Sequence, residues 1–184
     1  SQFYKHMKNN LFKIKNIDLA TINSASNKSK IYQNRDDLLL VTFPKNTIIC
    51  GVFTKSTTRA FPVDWCVKNL NNRAKALLVN AGNANACTGK NGVIAVQKIT
   101  KSIAAEINCK QEEVFICSTG VIGEKLPYEK LIAQIPILKN NLSGNNWQKA
   151  SKAILTTDTK PKTENVNFEI NDQKIIINGF AKGS

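Results

Sequence analysis

The stretch Leu77–Gly89, "LLVNAGNANACTG", has no charged residue and almost no bulky side chain after Val79, in a chain otherwise rich in lysine. Glycine and asparagine at this density are typical of backbone in conformations that bulkier residues resist. Its first three residues belong to Ala74–Val79, which is apolar enough to form a strand buried on both faces. After it, four apolar residues share one helical face: Val96, Ile99, Ile103 and Ile107. The stretch is predicted to join a strand to a helix. Its small residues indicate that another part of the molecule or a ligand approaches its backbone closely.

The same plan appears a second time downstream. Val114–Cys117 is predicted as a strand, "STGVIGEKLP" as a glycine-punctuated loop, and Tyr128–Ile135 as a helix with Pro127 in its first turn. Further elements are predicted as an antiparallel strand pair at Asp37–Phe43 and Ile48–Thr54, a short helix at Asp64–Leu70 capped by Asp64, a helix at Trp147–Leu155, and a hairpin of Val166–Ile170 and Lys174–Ile177 around Asn171-Asp172. This order predicts an α/β chain of mixed sheets with packed helices.

Composition limits the classes of protein to which the chain can belong. Its 184 residues, 42% of them hydrophobic, suffice for one sizeable core. The formal net charge of +13 suggests a nucleic-acid-binding protein, because clustered lysines gain affinity for phosphate by releasing counterions. However, the lysines are spread from Lys5 to Lys182 without a run of five or six, and only 7% of residues are aromatic. A non-catalytic basic binding protein is therefore a less favoured alternative, and we expect no nucleic-acid partner.

Cysteine usage indicates a reducing compartment. The five cysteines are an odd number without close pairing or a neighbouring histidine, so neither a disulfide framework nor a zinc site is expected: Cys50, Cys66, Cys87, Cys109 and Cys117. No apolar run is long enough to cross a bilayer, and the N-terminus lacks the apolar core of a secretory signal. We expect a cytoplasmic protein without a metal or a membrane partner.

The single histidine, His6, stands directly before the single methionine, Met7. We interpret Ser1–His6 as a vector remnant and 7–184 as one domain. If His6 is instead an ordinary surface residue, the conclusion is the same: serine–histidine and cysteine–histidine catalysis are not expected. A general base must then be a carboxylate, a lysine or a free amine.

Two loops could carry chemistry. A phosphate-binding loop has four residues between its glycines, whereas Gly82 and Gly89 have six between them and Lys90 is followed by Asn91, so this possibility is disfavoured. The segment "CSTGVIGE" offers a hydroxyl and a glycine amide side by side, which suits a negatively charged carbonyl oxygen. The alternative is that Thr119 is a cap and Gly120 a turn residue. Cys87 and Cys117 are more consistent with small buried residues than with nucleophiles.

Five segments in this order resemble the α chain of the ornithine acetyltransferase family, also called glutamate N-acetyltransferase, of arginine biosynthesis: "CGVFTKSTTRAFPV", "LLVNAGNANACTG", "CSTGVIGEKLP", "LTTDTKPK" and "GFAKGS". The similarity runs from about Asp37 to Ser184, whereas the preceding residues lack the glycine-rich opening that is usual in the family. The resemblance implies the fold of this family and a precursor that cuts itself at an Ala-Thr bond shortly after Ser184. The threonine thus exposed begins a β chain and is the nucleophile, with its own α-amine as general base.

The resemblance also implies roles for residues of this chain. By this resemblance, the expected reaction is a ping-pong transfer of acetyl from N2-acetylornithine to glutamate in an α₂β₂ assembly, with no cofactor and with acetyl-CoA left open as a second donor. Thr119 and Gly120 match the oxyanion-hole positions, and Thr156 and Lys182 match substrate-binding positions. Lys182 suits a substrate carboxylate and could also depress the pKa of the nearby amine. Asn80–Gly89 is implied to be scaffold. A self-cleaving amidase or aminopeptidase of similar plan is the enzymatic alternative.

Overall fold

The computed structural model describes residues 11–27, 32, 34–70 and 73–183. Ser1–His6, interpreted as a vector remnant, lie outside these residues. In chain order the elements are β1 Asp18–Ile22, β2 Leu38–Thr42, α1 Phe61–Asn69, β3 Ala76–Asn83, α2 Lys90–Ile107, β4 Val114–Val121, α3 Tyr128–Asn140, α4 Trp147–Ala153, β5 Lys162–Ile170 and β6 Gln173–Ala181. A short 3₁₀ turn, Gln111–Glu113, precedes β4. The predicted mixture of sheets and packed helices is confirmed.

The main sheet has the strand order β1-β2-β3-β4, and β5 pairs with β6 in a separate hairpin. β2 is antiparallel to both of its neighbours, β1 and β3, whereas β3 and β4 are parallel. A parallel pair needs a crossover, which α2 supplies. The predicted strand, small-residue loop and helix are thus the first half of a β3-α2-β4 unit.

Both faces of the sheet are covered, and β2 contributes to each because its side chains alternate. Leu38 and Leu40 pack with α2 and α3 on one face, whereas Leu39 and Val41 pack with α4 on the other. The second face also contacts Phe180 of β6, so the hairpin is attached to the sheet through that residue. Residues of β2 from Leu38 to Val41 are almost fully buried, which explains why "LLLV" is entirely apolar.

Several predicted elements are confirmed with longer bounds. Val96, Ile99 and Ile103 of α2 are buried, in agreement with the predicted face. The hairpin turns at Asn171 and Asp172, whose φ values of 49° and 60° are the left-handed conformation that a two-residue hairpin turn requires.

Two predictions near the N-terminal half are wrong. Ile48–Thr54 is not a strand, because β1 and β3 occupy both edges of β2 and leave no edge for it. Val52 is consequently 98% exposed. Asp64 is not a helix cap: α1 begins at Phe61, and the Asp64 carboxylate instead pairs with Arg59 at 2.8 Å. The strand β1 was not predicted at all.

Candidate active site

The carboxyl ends of β3 and β4 lie side by side, and both strands extend into the segments predicted as glycine-containing loops. Thr119 and Gly120 are therefore paired strand residues, not a cap and a turn residue. Ala81 is paired with Thr119 and Gly82 with Gly120. At Gly120, where φ is +138°, an added Cβ would lie 2.2 Å from the carbonyl carbon of Gly82 and 2.5 Å from the amide nitrogen of Asn83. Both atoms belong to the backbone of β3, which cannot shift to make room for a side chain as readily as a flexible side chain could. The small residues of Leu77–Gly89 therefore permit a close approach of backbone to backbone.

The other side of Gly82 is closed by Asn27. Its amide nitrogen donates to the carbonyl of Ala81 at 2.9 Å and to the carboxylate of Asp37. Asp37 is only 1% exposed and also accepts the backbone N–H of Ser24 at 2.7 Å. Ser24, Asn27 and Asp37, which precede β2, thus hold the carboxyl end of β3 in place through these hydrogen bonds. Sequence analysis missed Asn27 and Asp37, because their role depends on contacts across the sheet.

A lysine joins two threonines from distant segments. The Nζ atom of Lys182, just after β6, donates to the Thr119 hydroxyl at 3.0 Å and to the Thr156 hydroxyl at 2.9 Å. Gly120 adjoins Thr119 in β4. All four residues singled out from the sequence therefore lie in one place, although they are up to 63 positions apart.

The direction of these hydrogen bonds matters for the chemistry. A lysine ammonium has three N–H donors and no acceptor, so the oxygens of Thr119 and Thr156 accept from it. Each hydroxyl hydrogen remains available for a further acceptor. Because a hydroxyl that accepts from a cation becomes a better donor, the arrangement favours a negatively charged oxygen next to Thr119. Among the described residues, only the hydroxyls of Thr119 and Thr156 accept from Lys182, so its third N–H is available to a carboxylate.

Asp158 lies next to the candidate site and was not predicted from the sequence. Its side chain is 1% exposed and accepts from Lys162 at 2.9 Å and from the backbone N–H of Gly183 at 2.7 Å. The signal was present in "LTTDTKPK", since Asp158 stands two residues after Thr156 and four before Lys162. Without knowing that Gly183 folds back onto this loop, that spacing could not be interpreted.

The prediction that Cys87 and Cys117 are small buried residues is wrong, because both residues are exposed. Although Cys117 is exposed as a residue, desolvation of its thiol raises its pKa to about 11, so at neutral pH almost no reactive thiolate is present at this position. Cys117 lies in β4, whereas Cys87 lies in the loop between β3 and α2.

We predict that Cys117→Ser leaves the turnover of the acyl transfer expected from the sequence close to that of the unchanged protein, because a protonated thiol contributes little to attack. Turnover and the rate of alkylation by iodoacetamide at pH 7.5 would be measured together. Cys87→Ser is the matched variant and should likewise leave the turnover unchanged. A loss of turnover on the order of 10²-fold in either variant, with normal folding, would restore that cysteine as a candidate nucleophile.

A cavity lies elsewhere, at the beginning of β4 rather than at its end. Trp65, Lys68, Lys101 and Gln111 are among its lining residues, and Trp65 Nε1 donates to the carbonyl of Val114 at 2.8 Å. None of the four candidate site residues lines it. Because ligands of parallel strands usually bind beyond the carboxyl ends, Thr119 and Gly120 are better candidates for an active site than this cavity.

Within the described ranges, no group of three or more histidine, cysteine, aspartate or glutamate side chains is arranged to hold a metal ion. Of the helices in the described part of the chain, none is both long and apolar enough to pass through a bilayer.

Comparison with known proteins gives a consistent result. The family model described as "ArgJ family" matches residues 21–184. An arginine biosynthesis bifunctional protein ArgJ from Gluconobacter oxydans is 44% identical over 172 residues, which are 91% of this chain and 41% of that protein. The chain thus spans about two fifths of the length of the curated relatives that it matches.

Two solved structures resemble this one. The ornithine acetyltransferase of Mycobacterium tuberculosis, complexed with ornithine, has a TM-score of 0.87 at 29% identity, with 97% of this chain and 94% of that chain covered. The arginine biosynthesis bifunctional protein argJ of Bacillus halodurans has a TM-score of 0.83 at 28% identity, with coverages of 92% and 87%. The predicted ornithine-acetyltransferase-like fold is confirmed.

Proposed function

This chain belongs to the ArgJ family, and we propose that it is the α chain of an acetyltransferase that moves the acetyl group of N2-acetylornithine to glutamate in arginine biosynthesis. The observation that carries the proposal is the convergence of Lys182 with the hydroxyls of Thr119 and Thr156, beside Gly120. A hydroxyl, a backbone amide and an ammonium at one point suit a reaction in which a carbonyl oxygen becomes negatively charged.

In the proposed mechanism the nucleophile is a threonine at the start of a β chain cut from the same precursor. Its α-amine accepts the hydroxyl proton while the hydroxyl oxygen bonds to the acetyl carbonyl carbon of N2-acetylornithine. The carbonyl oxygen becomes an oxyanion, which accepts hydrogen bonds from the Thr119 hydroxyl and the Gly120 amide. When the carbonyl re-forms, the amide C–N bond breaks and the proton passes to the leaving amine. Ornithine departs and acetyl-threonine remains.

The second half of the reaction reverses these steps with another amine. The amine of glutamate attacks the acetyl-threonine, the same oxyanion position is occupied, and the ester C–O bond breaks. The proton of the attacking amine returns to the threonine oxygen through the α-amine. Thr156 and Lys182 are proposed to bind the substrates, the ammonium of Lys182 being suited to a carboxylate. Acetyl-CoA remains a candidate as a second acetyl donor.

The lengths of the related proteins support a two-chain enzyme. The curated relatives extend well beyond this chain, which covers 41% of one of them, yet it covers 94% of the solved ornithine acetyltransferase chain. A precursor divided into two polypeptides gives such a difference. We therefore propose that this chain, as a single domain, is completed by a β chain and that the pair assembles as α₂β₂.

The proposed location is the cytoplasm. All five cysteines are free thiols, which is the usual state in a reducing compartment.

We predict that the intact two-chain enzyme releases ornithine from N2-acetylornithine, and that added glutamate accelerates this release while N-acetylglutamate accumulates in equal amount. The reason is that glutamate regenerates the free threonine. Ornithine and N-acetylglutamate would be quantified by mass spectrometry over a series of glutamate concentrations. Ornithine release that glutamate does not accelerate, with free acetate as the co-product, would instead favour the self-cleaving amidase.

A further inference from the structure

Asp158 connects the loop after α4 with the chain end that follows β6. One carboxylate oxygen, Oδ1, accepts the backbone N–H of Gly183 at 2.7 Å. The other, Oδ2, accepts the backbone N–H of Thr156 at the longer distance of 3.4 Å. The two backbone groups belong to segments that carry, or directly adjoin, the hydroxyl and the ammonium of the candidate active site.

Lys162, the first residue of β5, contacts both Asp158 and Gly183. Its ammonium donates to Asp158 Oδ1 at 2.9 Å and also to the carbonyl oxygen of Gly183. Gly183 is therefore held at both of its backbone polar groups, the N–H by Asp158 and the C=O by Lys162. Since Lys182 immediately precedes it, the peptide that carries the site ammonium is fixed on its C-terminal side.

The charge of Asp158 is secured by the same contacts. The hydrogen bond from Lys162 and the backbone N–H of Gly183 hold the pKa of the Asp158 carboxyl well below its usual range. A carboxylate accepts such bonds more strongly than a neutral group does. The side chain is 1% exposed, whereas that of Lys162 is 51% exposed, so Asp158 forms the inner part of this contact.

We propose that Asp158 is a positioning residue of the active site: it ties Gly183 to the Thr156 loop and thereby holds the Lys182 ammonium against the hydroxyls of Thr119 and Thr156. Asp158 itself touches neither hydroxyl and is not a catalytic residue. Its effect is exerted through Lys182, whose two hydrogen bonds of 3.0 and 2.9 Å depend on where the backbone at residue 182 lies. This inference rests on the proposed acetyl transfer.

The test compares substitutions in the full precursor. Asp158→Ala removes both acceptors and is expected to lower kcat/KM for N2-acetylornithine by roughly tenfold to 10²-fold, because small misplacements of catalytic groups are costly. Asp158→Asn keeps one acceptor oxygen for the Gly183 N–H and should recover part of the loss. Asp172→Asn, at the tip of the same hairpin, is the matched control and should behave like the unchanged protein, since asparagine also tolerates a left-handed backbone.

A double-substitution cycle separates positioning from general stability. In a Lys182→Met background there is no ammonium to position, so Asp158→Ala should add almost no further loss of kcat/KM. An equal loss in both backgrounds would mean that Asp158 only stabilises the fold, and would overturn the inference. Mass spectrometry would verify that each precursor has been cut, so that rates refer to cut enzyme; Asp158→Asn supplies the cycle if Asp158→Ala is not cut.

The outcomes of this experiment and of the functional test are distinguishable. If the unchanged enzyme transfers acetyl to glutamate but Asp158→Ala does so at the same rate, the positioning role is wrong and the function stands. If the unchanged enzyme shows no acetyl transfer, the proposed function itself is wrong.

Discussion

Gly120→Ala is expected to prevent the precursor from folding normally. The added Cβ would lie 2.2 Å from the carbonyl carbon and 2.5 Å from the carbonyl oxygen of Gly82, which is closer than real Cβ contacts allow. The φ of +138° at Gly120 is also one that alanine rarely adopts. Overpacking and backbone strain together should cost about 2–6 kcal/mol of the free energy of unfolding. A protein with a total of about 5–15 kcal/mol would lose much of its stability.

Gly123→Ala is the matched control for this prediction. Gly123 also has a positive φ, +84°, but an added Cβ there meets no atom within 4 Å. It should therefore show the strain of the backbone without the clash. Soluble yield and the midpoint of chemical unfolding would be measured for both variants. Equal midpoints would mean that β3 and β4 can separate at Gly82 and Gly120, contrary to the close approach described above.

Periodicity predicted the elements whose environment is set by their own sequence. The helix α2 follows from Val96, Ile99 and Ile103 on one face, and the β5–β6 hairpin follows from residues that tolerate a left-handed turn. Ile48–Thr54 has the composition of a strand but no partner, because β1 takes the free edge of β2. Strand propensity depends on such pairing, which lies outside the local sequence.

Of the candidate site, the central residues could be predicted from the sequence, whereas the supporting residues could not. The residues proposed for its centre came from the resemblance to a family, since nothing in a single sequence places Lys182 near Thr119. The supporting residues Asp37 and Asp158 were not predicted because each accepts from a backbone N–H of another segment, Ser24 and Gly183 respectively, in addition to side chains, and the sequence does not show which segments meet. A buried carboxylate that accepts backbone N–H groups becomes evident only when the chain is folded.

Thr119→Ala in the full precursor should lower turnover by roughly 10²-fold, the effect of removing one oxyanion donor. The hydroxyl of Thr119 accepts from Lys182 at 3.0 Å, so its hydrogen is directed to another acceptor, which we propose is the oxyanion. Because this donor acts on charge that develops in the transition state, the loss should appear in kcat for both half-reactions. Ornithine release and N-acetylglutamate formation would be followed separately under saturating substrate.

Thr119→Ser is the control that isolates the hydroxyl. It keeps the acceptor for Lys182 and the donor for the oxyanion, and removes only a methyl group, so it should retain most of the turnover. Thr156→Ala is a second comparison, since Thr156 shares the Lys182 ammonium at 2.9 Å but is proposed to bind substrate, and its loss should therefore raise KM more than it lowers kcat. Near-normal kcat in Thr119→Ala, with a normal unfolding midpoint, would remove Thr119 from the oxyanion hole and leave the Gly120 amide as the donor from this chain.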